Sequence, residues 1–167
     1  MKHLCATLLL LCSGLNPQLD GRDLFIEQIT NCALQYNATT ISSERVPIHL
    51  VVAVAAHESA WGKSRFALEG NNYFGIKTSS KDPDKYMVPK NNKKVKLQKY
   101  ETMCSSVDGF MELVTISPRY KEFQEELEKQ WLVDKVEYSK LLSSMFRFST
   151  DKEWKVKVLD IIGQIKK

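Results

Sequence analysis

Glu58 is the side chain in this sequence best placed to do chemistry. It closely follows the run Ile48 to Ala56, which is apolar except for His49. A helix without a polar face belongs in the middle of a core, so its last turn carries Glu58 into partly apolar surroundings. Burial disfavours the carboxylate, and the negative end of the helix dipole acts in the same direction. Both raise the pKa, and a carboxyl group that keeps its proton near neutral pH is a general acid. Breaking a glycosidic bond requires such an acid to protonate the departing oxygen. A Glu at a helix end serves equally well as an exposed or ion-paired structural acid, so the assignment turns on the residues around it. His57 is adjacent, yet neighbouring helical residues point about 100° apart, which makes it structural or an outer contact.

Other chemistries find less support. The histidines are scattered, and no CxxC or Cys/His cluster has zinc spacing. No metal and no cofactor is expected. The formal charge is +4 with a pI near 8.8, a mild basic excess well short of a nucleic-acid binder. Lys81, Lys85, Lys90, Lys93, Lys94, Lys96 and Lys99 crowd one stretch. They suit either the attraction of an anionic polymer or a solvated loop.

The elements that must position Glu58 follow from the apolar spacing. Met1-Lys2-His3, the apolar run Leu4 to Leu11 and the small residues Ser13 and Gly14 form a secretory leader over residues 1–14. Cys12 offers a lipidation site, though bulky Leu10 and Leu11 precede it. With the leader removed the protein is exported to the periplasm or beyond and keeps no membrane span. Cys32 and Cys104 then remain, either as a disulfide or as buried thiols. Phe25, Ile29, Cys32, Ala33 and Tyr36 predict a first helix. Pro47 opens the second, which is expected to end near Gly62. Tyr73 to Tyr100 reads as a β-hairpin, with a turn at Lys90-Asn91-Asn92-Lys93 and a strand over Lys94–Gln98.

The remainder is helical. Val107, Phe110, Met111 and Val114 share one face. Ser117-Pro118 caps a helix carrying Tyr120, Phe123, Leu127 and Trp131. Another holds Val136, Leu141, Leu142 and Met145. The last begins with the capping-box spacing of Thr150 and Glu153 and carries Trp154, Val158, Ile161, Ile162 and Ile165 on one face. The fold class is α+β, mainly helical, in one domain over residues 20–167.

The surroundings of Glu58 sharpen its reading. Ala55-Ala56-His57-Glu58-Ser59-Ala60-Trp61-Gly62-Lys63-Ser64 is followed by Glu69-Gly70-Asn71-Asn72-Tyr73-Phe74-Gly75-Ile76-Lys77. Later come Tyr100, Ser105-Ser106-Val107, Ser117-Pro118-Arg119-Tyr120, and Phe148-Ser149-Thr150-Asp151 running into Trp154 and Val158. Together and in this order they resemble the bacterial peptidoglycan N-acetylglucosaminidase family, nearest its stand-alone Bax-like members. The resemblance runs from about Leu24 to the C-terminus. It implies a lysozyme-like fold of two lobes, with a small β-hairpin lobe and a cleft whose floor carries Glu58 as catalytic acid. It implies a monomer acting on peptidoglycan glycan strands at the β-1,4 bond on the N-acetylglucosamine side. Tyr100 and Tyr120 match tyrosines that line the substrate site, Asn72 matches a position that either holds backbone near the cleft or binds substrate, and Trp61 and Phe74 match structural ones that pack the helix against the hairpin.

The sequence departs from the family in two places. No Glu lies between Glu69 and Glu101, where some members carry a second catalytic carboxylate. Asp82, Asp84 and Glu101 are the nearest candidates. Phe148 also stands where many relatives carry Tyr. Two other functions stay open here. One is a lytic transglycosylase, whose usual Gly-Leu-Met-Gln run is replaced by Asn71-Asn72-Tyr73-Phe74-Gly75. The other is a wall-binding module with little or no activity.

Overall fold

In the computed structural model, which describes residues 20–166, Asp20 starts the first helix. Its carboxylate accepts hydrogen bonds from the backbone N–H groups of Arg22 and Asp23. Helix α1 (Gly21–Ala38) buries Phe25, Ile29, Cys32 and Ala33, the stripe its spacing predicts. Helix α2 (Ile48–Ser59) follows Pro47 and is buried from Leu50 to Ala56. It lies between α1 and α7 (Trp154–Ile165), which is why it needs no polar face. Helix α4 (Met103–Ile116) packs on the other side of α1 and buries Val107, Phe110, Met111 and Val114. Cys32 and Cys104 form a disulfide that ties α1 to α4, with Cα atoms 4.9 Å apart. Helices α3 (Arg65–Gly70), α5 (Lys121–Leu132) and α6 (Tyr138–Ser144) complete the helical set.

The smaller lobe is an antiparallel hairpin. Strand β1 (Tyr86–Met87) pairs with β2 (Leu97–Gln98), Tyr86 opposite Gln98 and Met87 opposite Leu97, and Lys77 bridges to Leu97. The arrangement is the expected α+β, mainly helical, lysozyme-like one. The leader read at residues 1–14, with Cys12, lies outside the described residues. Among the described residues, no helix is long and apolar enough to cross a membrane.

Several local expectations are corrected. The strand expected over Lys94–Gln98 shrinks to two residues. The N–H of Lys94 bonds to Asn92 Oδ1 and that of Val95 to the Asn92 carbonyl, so local turn bonds take the groups a ladder would use. Tyr120 sits in a 3₁₀ turn, Pro118–Tyr120, that Ser117 caps ahead of α5. Trp131 is 49% exposed. Gln130 is the buried neighbour, its amide bonding to the backbone of Glu137 and to the Glu126 carboxylate. Val136 precedes α6 and is exposed. Thr150 and Glu153 form no capping box. Asp151 instead accepts from the Glu153 N–H, a shorter-range bond from the same loop.

Candidate active site

The site is built where α2 stops. The helix ends at Ser59, short of Gly62, and the chain turns through Ala60, Trp61 and Gly62, all at positive φ (51°, 59° and 77°). The buried Ser59 hydroxyl secures this turn. It donates to the Ala55 carbonyl at 2.6 Å and accepts from the Gly62 N–H at 2.8 Å. The Trp61 N–H returns to the Ala56 carbonyl at 2.8 Å. Glu58 is therefore held one residue before a firm helix end, half-buried.

Asn72 positions the lobe that faces it. The residue is 2% exposed. Its amide nitrogen donates to the carbonyls of Ile76 and Gln98, both at 2.9 Å, and its oxygen accepts from the Ile76 N–H at 3.1 Å. Both donor hydrogens are used on backbone. This side chain closes the loop 72–76 and, together with the Gln98 N–H that donates to the Ile76 carbonyl at 2.9 Å, fastens it to β2. Gly75, at the tip of that loop, adopts φ +66°, and a Cβ there would lie 3.5 Å from Glu58 Oε2.

The opposite wall comes from α7. The Trp154 indole N–H donates to Glu58 Oε1 at 2.7 Å. Trp154 is 4% exposed, and its ring packs on Phe148 at 5.4 Å. Phe148 in turn meets Phe110 edge-on at 5.6 Å and Tyr120 at 6.4 Å. Phe110 stacks on Phe74 at 4.3 Å, so one aromatic series links the hairpin loop, α4 and α7 beneath the carboxyl. Trp61 stands apart from it. Its ring meets Phe25 of α1 at 6.0 Å with Arg22 over its face.

Burial is the main cause that raises the Glu58 pKa, and the negative charge of Asp151 adds to it. The Trp154 hydrogen bond and a charged His57 act against them, and burial wins. Asp151 stays ionised. The Lys157 ammonium bonds it at 2.6 Å and the Glu153 N–H at 2.9 Å, and its pKa is lowered. A half-buried acid beside a fixed carboxylate holds its proton longer than a surface Glu does.

The remaining residues singled out by sequence fall elsewhere. Asp84, Tyr100 and Glu101 line a separate groove of about 500 Å³ with Lys85, Gln98, Lys99 and Ser105. Glu58 does not line it. The Tyr100 ring lies against Gly109 of α4. Burial and the nearby Glu112 push its hydroxyl pKa up to about 12. Asp82 is exposed and caps the turn Pro83–Lys85 by accepting from the Asp84 N–H. Tyr120 is 3% exposed behind Phe148. Among the described residues, no group of three or more His, Cys, Asp and Glu side chains is placed to hold a metal ion.

Sequence reasoning missed Trp154 and Gly75 as neighbours of Glu58. Trp154 read as one more apolar residue on the last helix. The available signal was its indole N–H, which needs a partner when buried.

Comparison with known proteins bears on the family and the fold. The sequence model of the family described as mannosyl-glycoprotein endo-beta-N-acetylglucosaminidase matches residues 36–167. No curated protein matches the chain significantly. The catalytic domain of the autolysin Auto from Listeria monocytogenes has a similar fold. Its TM-score is 0.66 at 19% identity, over 92% of this chain and 89% of that one. A peptidoglycan hydrolase from Sphingomonas sp. A1 gives a TM-score of 0.63 at 24% identity, over 83% and 86%. The glycoside hydrolase domain of Salmonella typhimurium FlgJ gives 0.59 at 24%, over 89% of each chain. At these identities the structures speak for the fold, and the sequence model, which spans most of the chain, speaks for the family. The chain belongs to the mannosyl-glycoprotein endo-beta-N-acetylglucosaminidase family and is a glycoside hydrolase.

Proposed function

We propose that the protein cleaves bacterial peptidoglycan at the β-1,4 bond on the N-acetylglucosamine side of the glycan strand, with Glu58 as general acid. The observation that carries this reading is the state of Glu58. It is a half-buried carboxyl with a raised pKa, one oxygen tied to Trp154 and the other beside a glycine. An acid so held donates its proton to the leaving sugar oxygen. The peptidoglycan substrate draws support from the solved relatives described as an autolysin and a peptidoglycan hydrolase.

Asn72 and Tyr120 serve this site by holding it. Asn72 has no free donor, and Tyr120 is almost fully covered. Tyr100, Asp84 and Glu101 border a groove that suits a more distant part of the wall polymer. Asp82 is spent on a turn. Glu58 then acts as the one protein acid, and the N-acetyl oxygen of the substrate sugar is the internal nucleophile. Water then opens the cyclic intermediate.

The disulfide between Cys32 and Cys104 suits an oxidising compartment. It fits export to the periplasm or cell exterior and work at the wall. Mass spectrometry of digested peptidoglycan tests the reading. Fragments with N-acetylglucosamine at the reducing end, each heavier by one water, are expected. Anhydro-muramic ends would show a lytic transglycosylase instead.

A further inference from the structure

We propose that the indole N–H of Trp154 decides which oxygen of Glu58 carries the acid proton, which makes Trp154 a positioning residue for the reaction. The inference rests on the reading of Glu58 as the general acid. Trp154 is the first residue of α7, is buried, and donates to Glu58 Oε1 at 2.7 Å. An indole N–H is a donor only. It can neither accept the acid proton nor bond to an oxygen that is itself pointing a hydrogen at it. In the protonated acid Oε1 is therefore the bare oxygen, and the proton sits on Oε2.

Oε2 is the oxygen on the Gly75 side, where the absence of a side chain leaves room above it. The acidic O–H is thus turned toward the hairpin lobe and away from α7. The bond survives proton transfer, because Oε1 accepts equally well in the carboxylate. Glu58 is held in one orientation through the whole step, which is the purpose of a preorganised acid.

The indole is itself fixed. Its ring packs on Phe148, and the Trp154 backbone N–H bonds to the Asp151 carbonyl at 3.1 Å. The charged groups facing Glu58 are His57 on its own helix and Asp151 in the segment that leads into α7. Asp151 is occupied by Lys157. Among the described residues, Trp154 is the side chain that bonds to the Glu58 carboxyl.

The test follows the indole resonances of protein labelled with ¹⁵N-tryptophan through an acidic pH series, without substrate. Trp61→Phe and Trp131→Phe variants assign the Trp154 signal by elimination. The Trp154 indole is expected to shift in one step with the ionisation of Glu58, and that step is expected to vanish in Glu58→Gln. A signal that stays flat in the wild type, or moves with the same midpoint in Glu58→Gln, would overturn the proposal. A Trp154→Phe variant supplies a kinetic reading. Its kcat on peptidoglycan should fall about tenfold or more, in line with loss of a hydrogen bond to a charged group, with KM little changed. The alkaline limb of its pH profile should move to higher pH, since the lost bond favoured the charged form. Wild-type kcat with an unmoved limb would also overturn it. The titration is read without turnover, so its failure is distinct from failure of the proposed function.

Discussion

Gly75 leaves open one side of Glu58: a side chain there would start 3.5 Å from the Oε2 oxygen. The glycine also sits at φ +66°, so the backbone asks for this residue, while a Cβ would make ordinary contact with the acid. Gly75→Ala should lose about 1–2 kcal/mol of stability from the left-handed backbone. It should also lose activity beyond that, because the strained loop shifts its tip beside Glu58, whose Oε2 the new methyl group would only just touch. Urea unfolding beside turnover on peptidoglycan separates the effects. An unchanged kcat in the folded variant would contradict this role for Gly75.

Asn72→Ala removes one part of the clasp between the loop 72–76 and β2. The part-buried Gln98 carbonyl and Ile76 N–H lose this partner, while the Ile76 carbonyl keeps the Gln98 N–H, and each lost bond carries a desolvation cost. A loss on the order of 2–3 kcal/mol is expected, with activity falling as the hairpin lobe loosens. Denaturant unfolding measures the first and turnover the second. If Asn72 acted only by touching sugar, KM would rise and stability would stay.

Much of this was legible in the sequence, and the missing parts share a cause. The apolar stripe of α1 and the unbroken apolar surface of α2 report burial directly, because period and composition record what a helix packs against. Glu58 was legible because it ends the most apolar of these helices. Trp154 was not, because its indole finds Glu58 across a sequence gap of 96 residues, and its position on α7 signals only packing. Asn72 was open between holding backbone and binding substrate, and which backbone it holds, Ile76 and Gln98, no spacing could tell. A side chain's partner depends on tertiary geometry that spacing does not encode. The short β2 shows the local version of this, where Asn92 takes bonds that the alternating pattern had assigned to a strand.

The disulfide is the longest covalent constraint on the helical lobe. It closes a loop of 72 residues between α1 and α4. A loop of this length contributes about 4 kcal/mol through the unfolded chain. Reduction, or the double replacement Cys32→Ala with Cys104→Ala, should lower the Tm markedly. Calorimetry with and without reductant tests this, and an unchanged Tm would argue against a disulfide in the mature protein.

The raised Glu58 pKa also has a consequence for stability. In the folded protein the group holds its proton above the ordinary value of 4.5, chiefly because of burial. Between that value and the higher folded pKa the native state binds more protons than the unfolded one. Stability therefore falls as pH rises through this window. Glu58→Gln has no such loss, so it should be more stable than the wild type at neutral pH, with the difference shrinking on acidification. Urea midpoints across pH check the sign. A variant that is less stable at neutral pH would contradict the burial argument.

Glu58 is the proton donor on which cleavage depends, and the decisive measurement is turnover of purified peptidoglycan by Glu58→Gln beside the wild type. Glutamine keeps the acceptor oxygen for Trp154 and the shape of the side chain, but has no acidic proton. The variant is predicted to fold, to bind wall as the wild type does, and to release no glycan fragments. Release at the wild-type rate would contradict the account.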